Sequence, residues 1–393
     1  MKVTFKKEIL SLCVNRSLGC ISTEKTYDVI AGILINTISE DKCQICAYDM
    51  EKGIKTIIDA KVEESGSVVI NGSKLASMVR LLSDDVTIET NDQEIATISS
   101  GKSKFLLHYK SGENFPRLPE LSTDRSFVMN QKMLKEMIQE TIFAVSKDEV
   151  RQNLTGLAFE IKRDSVRIIA CDHYRLAIRN RLQETELQSK EDEEILKFII
   201  PGKTIQEVER ILEESDENIR FSLTKKNVVL SFNLKYGNEF KETIMFSRLI
   251  DAEYIEYNRY ILNSYKTFVN VQRSLLEDSL IKASLITEDK TQGQTKSNVK
   301  FEIRDDVLYI SAVSINGKVF DEIAIEKTGD DIEIGFSCKY LLEILRATNV
   351  DNLKLSLYSP LMSMKIEDGD EKNNGDSFIY LALPMKMREN TEA

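Results

Sequence analysis

The stretch Val166-Arg-Ile-Ile-Ala-Cys-Asp-His-Tyr-Arg-Leu-Ala-Ile178 holds a short apolar run, a polar corner and a second apolar run. Residues 166–170 are mostly aliphatic, and they predict a strand that is buried on both faces. Short polar corners between strands often display binding residues, because the flanking sheet holds them rigid. On this stretch alone an ordinary hairpin corner is the simpler interpretation, and a binding site is the alternative.

One pattern recurs three times along the chain: an apolar strand, a turn with a capping residue, a helix and then several strands. The helices of these passes are predicted over residues 73–82, 203–212 and 339–346, and each follows an earlier helix, predicted over residues 6–16, 130–144 and 271–286. Apolar residues recur at helical spacing in these helices, so one face of each should dock on a sheet. Chance is the alternative explanation, but the common order of elements favours a repeat.

A chain of 393 residues is long enough for two or three domains, each with its own core. The threefold pattern predicts an α+β fold with three similar domains over residues 1–121, 122–255 and 256–393. Each domain should hold two β-α-β-β-β units.

The composition excludes several classes of protein. Apolar residues make up 42% of the chain and charged residues 30%, which is typical of a globular protein. The sequence has no apolar run long enough for a membrane span, and its first residues lack the pattern of a secretory signal. Six scattered cysteines suit reduced thiols in a cytoplasm. A net charge of −11 argues against indiscriminate wrapping of nucleic acid, but it permits one basic face toward DNA.

The sequence offers no recognisable catalytic or cofactor-binding motif. It has two histidines, His108 in a strand pattern and His173 at the corner, and neither belongs to a nucleophile–base set. Cys43 and Cys46 lie three apart in a strand pattern, so they should point to opposite faces and not share a metal. The chain has no phosphate-binding glycine loop, and the acidic run at residues 191–194 is typical of a solvated loop. We therefore expect no enzyme activity, no cofactor and no metal.

The corner Cys171-Asp-His-Tyr-Arg-Leu-Ala177, taken together with the C-terminal Leu383-Pro-Met-Lys-Met387, resembles a pair of segments in the bacterial sliding clamp, the beta subunit of DNA polymerase III. In that family a Thr-Asp-Gly-His-Arg-Leu-Ala corner and a Met-Pro-Met-Arg-Leu tail meet in one groove. The resemblance covers nearly the whole chain. It implies a closed ring of two three-domain chains, with helices lining the hole and sheets outside. The implied function is that of a non-enzymatic, cytoplasmic processivity clamp, which encircles double-stranded DNA without sequence preference and tethers the replicative polymerase.

The resemblance also implies a groove between the second and third domains, where the polymerase catalytic subunit, the clamp loader and other partners insert a short peptide with a glutamine and bulky apolar residues. The matching positions are Arg151, Leu154, Cys171, His173, Tyr174, Arg175, Leu176, Ile255, Arg259, Tyr260, Ser363, Leu381, Ala382, Leu383, Pro384, Met385, Lys386 and Met387. Methionines can repack around different side chains, which favours many partners.

The chain departs from the family at the groove. His173-Tyr174 replaces Gly-His, so a backbone position that tolerates any φ now carries a side chain. Ile255 stands where a proline is usual, and Ala382 stands where a larger residue is common. Residues 388–393 extend past the usual end. We hypothesise a reshaped groove that this tail partly covers.

For the DNA and for ring closure, the resemblance implies two further sets of residues. The positions expected beside DNA are Lys25, Lys74, Arg80, Gln152 and Asn153, and those expected in a homodimer interface are Phe105, Leu107, Leu285 and Ile286. The six predicted helices carry a summed charge of +3, but the helix that begins at residue 203, when its charge is counted through residue 214, carries −2 and opposes the trend. A repeat-built interaction scaffold without a DNA role is therefore the alternative function, and a hydrolase is a more distant one.

Overall fold

A computed structural model describes residues 1–22, 29–119, 125–189, 194–236, 239–287, 298–314, 317–370 and 375–386. These residues form two compact units. The first comprises residues 1–135, 184–194 and 203–251, and the second comprises residues 136–183, 195–202 and 252–393. No helix within the described residues is long and apolar enough to cross a membrane.

Within the described ranges the chain forms helices and strands in this order. The helices are α1 (Lys7–Ser17), α2 (Gly72–Leu81), α3 (Gln131–Gln139), α4 (Gly202–Ile211), α5 (Arg273–Thr287) and α6 (Cys338–Arg346). The strands are β1 (Lys2–Phe5), β2 (Gly32–Thr37), β3 (Lys42–Tyr48), β4 (Lys52–Asp59), β5 (Lys61–Glu64), β6 (Ser67–Asn71), β7 (Val86–Thr90), β8 (Ile95–Ser100), β9 (Ser103–Ser111), β10 (Arg125–Asn130), β11 (Gly156–Ile161), β12 (Ser165–Cys171), β13 (Arg175–Leu182), β14 (Gln188–Ser189), β15 (Leu196–Pro201), β16 (Asn218–Leu223), β17 (Asn227–Tyr236), β18 (Glu239–Arg248), β19 (Thr267–Gln272), β20 (Val299–Arg304), β21 (Val307–Ser314), β22 (Gly317–Ala324), β23 (Glu326–Gly329), β24 (Ile332–Phe336), β25 (Asn352–Leu357), β26 (Met364–Asp368) and β27 (Ser377–Ala382).

The first unit is built on one antiparallel sheet in the order β14-β10-β16-β17-β18-β4-β3-β2-β6-β9-β8-β7-β1-β5. The pairing of β4 with β18, which sets Thr56 opposite Thr243, makes the sheet continuous. Helices α1 and α2 pack against each other and bury Leu10, Val14 and Val79. This arrangement is expected for helices with one apolar face.

The second unit contains two antiparallel sheets. One has the order β15-β11-β12-β13-β27-β26-β25-β19-β23, and the other has the order β22-β21-β20-β24. Strand β12 carries three consecutive buried residues, Ile168, Ile169 and Ala170, so both of its faces are buried as the sequence predicts. Strand β13 pairs with β12 on one side and with β27 on the other, and this joins the middle of the chain to its C-terminal strand.

The threefold pattern is present in the structure. Strands β6, β15 and β24 each lead directly into a helix, α2, α4 and α6, and each helix is followed by further strands. Side chains cap two of these three helices as the repeat predicts, Asn71 on Lys74 in α2 and Ser337 on Tyr340 in α6, and Asn130 caps the earlier helix α3 on Met133. The chain therefore has the predicted mixed α+β architecture.

The two compact units divide the middle third of the chain between them. Its strands β10 and β16–β18 belong to the fourteen-stranded sheet, and β11–β13 and β15 belong to the nine-stranded sheet. Continuous sheets thus define the compact units, and the domain ranges 1–121, 122–255 and 256–393 stay predictions.

Two helices end earlier than the sequence predicts. Helix α3 ends at Gln139 and not at residue 144, because the buried hydroxyl of Thr141 donates to the carbonyls of Met137 and Ile138 and a 3₁₀ turn follows over Ile142–Ala144. Helix α4 ends at Ile211, so Glu213 lies outside it and pairs with Arg16 at 2.6 Å.

These ends change the charge of the helices. Helices α1, α3 and α6 each carry a net charge of +1, α2 carries +2, and α4 and α5 are neutral. The expectation that one helix of the middle third is acidic is therefore wrong. Every described helix is neutral or basic in a chain whose net charge is −11.

Strands β11 and β15 approach so closely at Gly156 that a Cβ there would lie 2.4 Å from the carbonyl oxygen of Ile200. We expect Gly156→Ala to lower the free energy of unfolding by about 2 kcal/mol, because backbone atoms must move to admit the methyl group. Urea denaturation followed by circular dichroism measures this change.

Gly317→Ala is the matched control, since its Cβ would meet only the Cδ1 of Ile286 at 3.4 Å. Equal denaturation midpoints for the two variants would contradict the close approach at Gly156.

Candidate functional site

The corner between β12 and β13 is a tight two-residue turn over His173 and Tyr174. The carboxylate of Asp172 accepts hydrogen bonds from the backbone N–H groups of Tyr174 (3.1 Å) and Arg175 (3.0 Å), which fixes the turn. His173 has a φ of 76°, in the region that favours glycine. An imidazole therefore projects from a position where hairpin turns of this kind usually carry no side chain.

A buried arginine ties this corner to its surroundings. Arg175 donates from Nε and Nη2 to Asp172 Oδ2 at 3.1 and 2.9 Å, and from Nη2 to the carbonyl oxygen of Phe143 at 2.7 Å. Its Nη1 donates to the carboxylate of Glu343 on α6. The guanidinium also lies 4.3 Å from the ring centroid of Tyr340, which in turn packs beside Tyr174 at 5.5 Å. A buried charge is tolerated only when it is paired in this way.

A cavity of about 300 Å³ opens beside the corner, and every residue around it belongs to the second compact unit. Its walls come from the 3₁₀ turn Gln152–Leu154, the corner, the segment around the 3₁₀ turn Tyr257–Tyr260, the loop before β26 and the end of β27. Most of the wall is apolar, and two aromatic rings, Tyr174 and Tyr260, are about half exposed at its rim. Concave apolar surfaces with a few polar groups are the usual form of a ligand site.

Most groove residues expected from the sequence surround this cavity: Arg151, Leu154, Cys171, His173, Tyr174, Arg175, Leu176, Ile255, Arg259, Tyr260, Ser363, Leu381 and Leu383. The structure thus brings together residues that are more than 200 positions apart in the chain. Leu154, Leu176 and Leu381 are almost fully buried, so each supports the cavity wall as well as the core.

After Leu383, the C-terminal segment leads away from the cavity. Ala382 is buried between Arg175 and Met364 in the sheet and does not border the cavity, and neither do Pro384, Met385 and Lys386. The backbone N–H of Leu383 donates to the carbonyl of Tyr174, and that of Met385 donates to the carbonyl of Gly335 in β24. The segment therefore leaves the cavity toward the smaller sheet. Met387 and residues 388–393 lie outside the described residues.

Three wall residues were not foreseen: Leu262, Leu361 and Met362. Leu361 is 86% exposed, and Met362 is also exposed. An apolar pair directly after Pro360, in a loop between two strands, is the signal that could have indicated them. Leu262 carries no comparable signal, because isolated leucines in a connecting segment are ordinary.

Burial favours the protonated form of four thiols in the described chain. Burial raises the pKa of Cys20, Cys43 and Cys46 to about 12, and it also raises the pKa of Cys171 at the cavity. All six cysteines lie within the described residues, and none of them forms a disulfide. No group of three or more His, Cys, Asp or Glu side chains among the described residues is arranged to hold a metal ion.

The positions expected beside DNA lie in both units. Lys74 and Arg80 are exposed on α2, and the described residues include no ion-pair partner for either. Gln152 is exposed in the 3₁₀ turn next to the cavity, and the side chain of Asn153 donates to the carbonyl of Glu253 at 3.1 Å. Lys25 lies outside the described residues.

The positions expected in a dimer interface also lie in both units. Phe105 and Leu107 are half-buried on β9, in a part of the strand that pairs with β8 and, within the described chain, has no strand on its other side. Leu285, near the end of α5, is 75% exposed, and Ile286 is half-buried. Unpaired strand edges and exposed leucines are both features of surfaces that associate.

Three family models match consecutive parts of the chain. The N-terminal domain of the DNA polymerase III beta subunit matches residues 1–119, the central domain matches residues 128–256, and the C-terminal domain matches residues 259–386. The three matches follow one another in the order of the family and cover nearly the whole chain.

Comparisons with individual proteins indicate the same family. The chain is 28% identical to a beta sliding clamp of Staphylococcus aureus over 98% of its own length and 99% of that protein. It is similar to the crystal structure of a DNA polymerase sliding clamp from Bacillus subtilis, with 26% identity, a TM-score of 0.87 and coverage of 99% and 100% of the two chains. A DNA polymerase III beta subunit structure from Thermotoga maritima matches with 25% identity and a TM-score of 0.86, over 98% and 100% of the two chains.

Substitution of Arg175 tests whether the corner depends on this buried arginine. We expect Arg175→Ala to lower the free energy of unfolding by about 3 kcal/mol, because it leaves the carboxylates of Asp172 and Glu343 without their buried partner. Chemical denaturation of the purified protein measures the effect.

The control is Arg259→Ala, which removes an arginine that is 78% exposed and paired with exposed Glu256. A surface pair of this kind contributes about 0 to 1 kcal/mol. If the two substitutions had equal effects, the corner would not depend on Arg175.

Proposed function

The chain belongs to the family of DNA polymerase III beta subunits, the bacterial sliding clamps, and from this premise we propose that two copies close around duplex DNA and hold partner proteins at the cavity beside the corner. The observation that carries the proposal is that three family matches follow one another in order over nearly the whole chain. We further propose that the domains are residues 1–121, 122–255 and 256–393, which these matches support.

The charge of the helices supports a sliding contact with DNA. All described helices are neutral or basic, while the whole chain carries −11. Attraction between Lys or Arg and phosphates is independent of sequence, so it holds a protein near the duplex and still permits sliding. We propose Lys74 and Arg80 as phosphate contacts, together with Lys25, and Gln152 and Asn153 as polar contacts.

The cavity supports a role in binding peptides. Its apolar wall, with Leu154, Leu176 and Leu381 held in place by the sheet, suits bulky apolar side chains of an extended peptide. Exposed Met362 and Leu361 give it an adaptable side, which suits more than one partner. We propose that the polymerase catalytic subunit, the clamp loader and other proteins with such peptides dock here.

The strand edges that have no partner within the described chain support ring closure. Strand β9 exposes backbone groups along Phe105 and Leu107, and β22 is the edge strand of the smaller sheet, with Phe320 67% exposed. We propose a homodimer in which the β9 edge of one copy meets the β22 edge and the Leu285–Ile286 region of the other. Backbone pairing and apolar contact would act together at such a junction.

The protein acts in this proposal by tethering and not by catalysis, in the compartment that holds the chromosome. An interaction scaffold without a DNA role is the second candidate, and the neutral charge of α4 and α5 is the observation that favours it. The two functions can be distinguished by measuring whether the protein stays bound to circular DNA and leaves it once the circle is cut.

A loaded clamp should stay on circular DNA at about 0.5 M salt, because a ring is held by topology while simple ionic binding falls steeply with salt. Cutting the circle once should release it. Gel filtration of the loaded complex, before and after cutting, measures retention. Loss from the uncut circle at high salt would support the scaffold and contradict the ring.

The purified protein should be a dimer at micromolar concentration, and Leu285→Asp should weaken the dimer by at least about a hundredfold, because a charge would be buried in an apolar contact. Sedimentation velocity measures the mass. Leu361→Asp changes a leucine that is 86% exposed outside this junction, so it should leave the dimer intact. A monomeric unmodified protein would contradict ring closure.

A further inference from the structure

A row of polar side chains crosses one face of the nine-stranded sheet. Its members lie directly opposite one another on the neighbouring strands β15, β11, β12, β13 and β27: Lys197, Glu160, Arg167, Asn180 and Ser377. Nζ of Lys197 lies 3.1 Å from Oε1 of Glu160. Nε of Arg167 donates to Oδ1 of Asn180 at 2.6 Å, and Nδ2 of Asn180 donates to Oγ of Ser377 at 3.1 Å. Cross-strand pairs of this kind stabilise a sheet, so the row is a firm place to attach another segment.

Tyr257 is bonded to the middle of this row. Its hydroxyl donates to Oε2 of Glu160 at 2.8 Å and accepts from Nη1 of Arg167 at 2.9 Å. The side chain is only 6% exposed, and burial raises the pKa of its phenol, which keeps the proton available for donation. Both hydrogen bonds involve an ionised partner, and such bonds are stronger than those between neutral groups.

Tyr257 belongs to the connector, which we define as residues 252–266, between β18 and β19. The backbone N–H groups of Tyr257, Arg259 and Ile261 donate to carbonyls two or three positions earlier in the connector itself. These bonds shape the 3₁₀ turn Tyr257–Tyr260, but they do not attach it to the sheet.

Side chains attach the connector instead. Near its start, the side chain of Asn153 donates to the carbonyl of Glu253 at 3.1 Å. Near its end, the ring of Tyr265 lies 4.8 Å from Nζ of Lys365 on β26. Tyr257 is the attachment between these two, and it holds the turn.

The turn separates its attached side from its cavity side. Tyr257 points into the sheet and does not border the cavity, whereas Tyr260, at the other end of the turn, is 59% exposed at the rim. The connector residues that border the cavity are Ile255, Arg259, Tyr260 and Leu262. One buried hydroxyl thus lies in the middle of the segment that supplies this wall.

We propose that the hydroxyl of Tyr257, held between Glu160 and Arg167, is the positioning group that keeps the connector wall of the cavity in its binding conformation. This proposal rests on the proposed peptide-binding function. Tyr257 touches no ligand, and it acts by raising the fraction of the protein whose cavity is ready to bind.

The first test is Tyr257→Phe, which keeps the buried ring and removes the hydroxyl. Glu160 and Arg167 still face each other at 3.4 Å, so the protein should fold. We expect its affinity for peptides to fall about tenfold, because the apparent Kd rises as the competent fraction falls. The probes are fluorescein-labelled peptides with one glutamine and three leucine or phenylalanine residues, and fluorescence polarisation measures their binding to the full-length protein.

Tyr309→Phe is the matched control. It removes a hydroxyl from β21 in the smaller sheet, where the ring stacks on Phe320 at 5.9 Å, away from the connector and the cavity. This variant should bind the peptides as tightly as the unmodified protein. An equal loss of affinity in the two variants would overturn the assignment to Tyr257.

Hydrogen exchange of the free protein, followed by mass spectrometry, reads the connector without any peptide. In Tyr257→Phe the amides of residues 255–262 should exchange about tenfold faster, because exchange follows the population of the opened connector. The amides of the corner, residues 171–176, should exchange at their original rate. Unchanged exchange in residues 255–262 would overturn the attachment.

Variants of the acceptor assign the effect to one bond. Glu160→Ala should weaken peptide binding as much as Tyr257→Phe does, and the double variant should be no weaker than either, because both changes remove the same interaction. Glu160→Gln should restore most of the affinity, since an amide oxygen still accepts from the hydroxyl. Additive losses in the double variant would contradict a shared bond.

The outcomes separate this proposal from the function on which it rests. If the unmodified protein bound none of the peptides, both would be contradicted. Peptide binding that is equally tight in Tyr257→Phe would overturn the positioning role and leave peptide binding in place. Faster exchange in residues 255–262 without a loss of affinity would likewise overturn it, because the connector would then be loosened with no effect on the cavity.

Discussion

The buried guanidinium of Arg175 imposes the constraint on which the cavity depends. A charge that is shielded from water must be paired, and this one is paired with a carboxylate in its own turn, a carboxylate on α6 and a carbonyl of the 3₁₀ turn after α3. These partners come from three separate parts of the chain. Satisfying one arginine therefore fixes the positions of the corner, the helix and the turn relative to one another.

Strand pairing is the second constraint that shapes the cavity. Strand β13 lies between β12 and β27, so Leu176 and Leu381 stand side by side although they are 205 positions apart. The N–H of Leu383 extends this ladder to the carbonyl of Tyr174. The cavity is consequently bordered by backbone that is hydrogen-bonded on both sides, and rigid walls of this kind lose little entropy when a ligand binds.

The two parts of the proposed function, sliding on DNA and binding partner peptides, make different demands on the surface of the chain. Charge on its helices is small and dispersed, which suits contact with phosphates of any sequence. At the cavity, by contrast, the guanidinium of Arg151 lies 3.3 Å from Nδ1 of His173, which occupies a positive φ beside an apolar wall.

The sequence alone determined the repeated strand–helix order, the buried strand β12 and most of the cavity wall, because periodicity and capping are local and because the corner and the tail carry the family's motifs. It could not determine where α3 and α4 end, and so it assigned too much acid to the helices. For α3 the end depends on Thr141, which back-bonds only once it is buried. It also missed Leu361 and Met362, and it did not indicate that residues 384–386 lead away from the cavity toward the smaller sheet. Only the tertiary structure decided these points and the division of the middle strands between two sheets, because each depends on pairing and burial between segments that are distant in the chain.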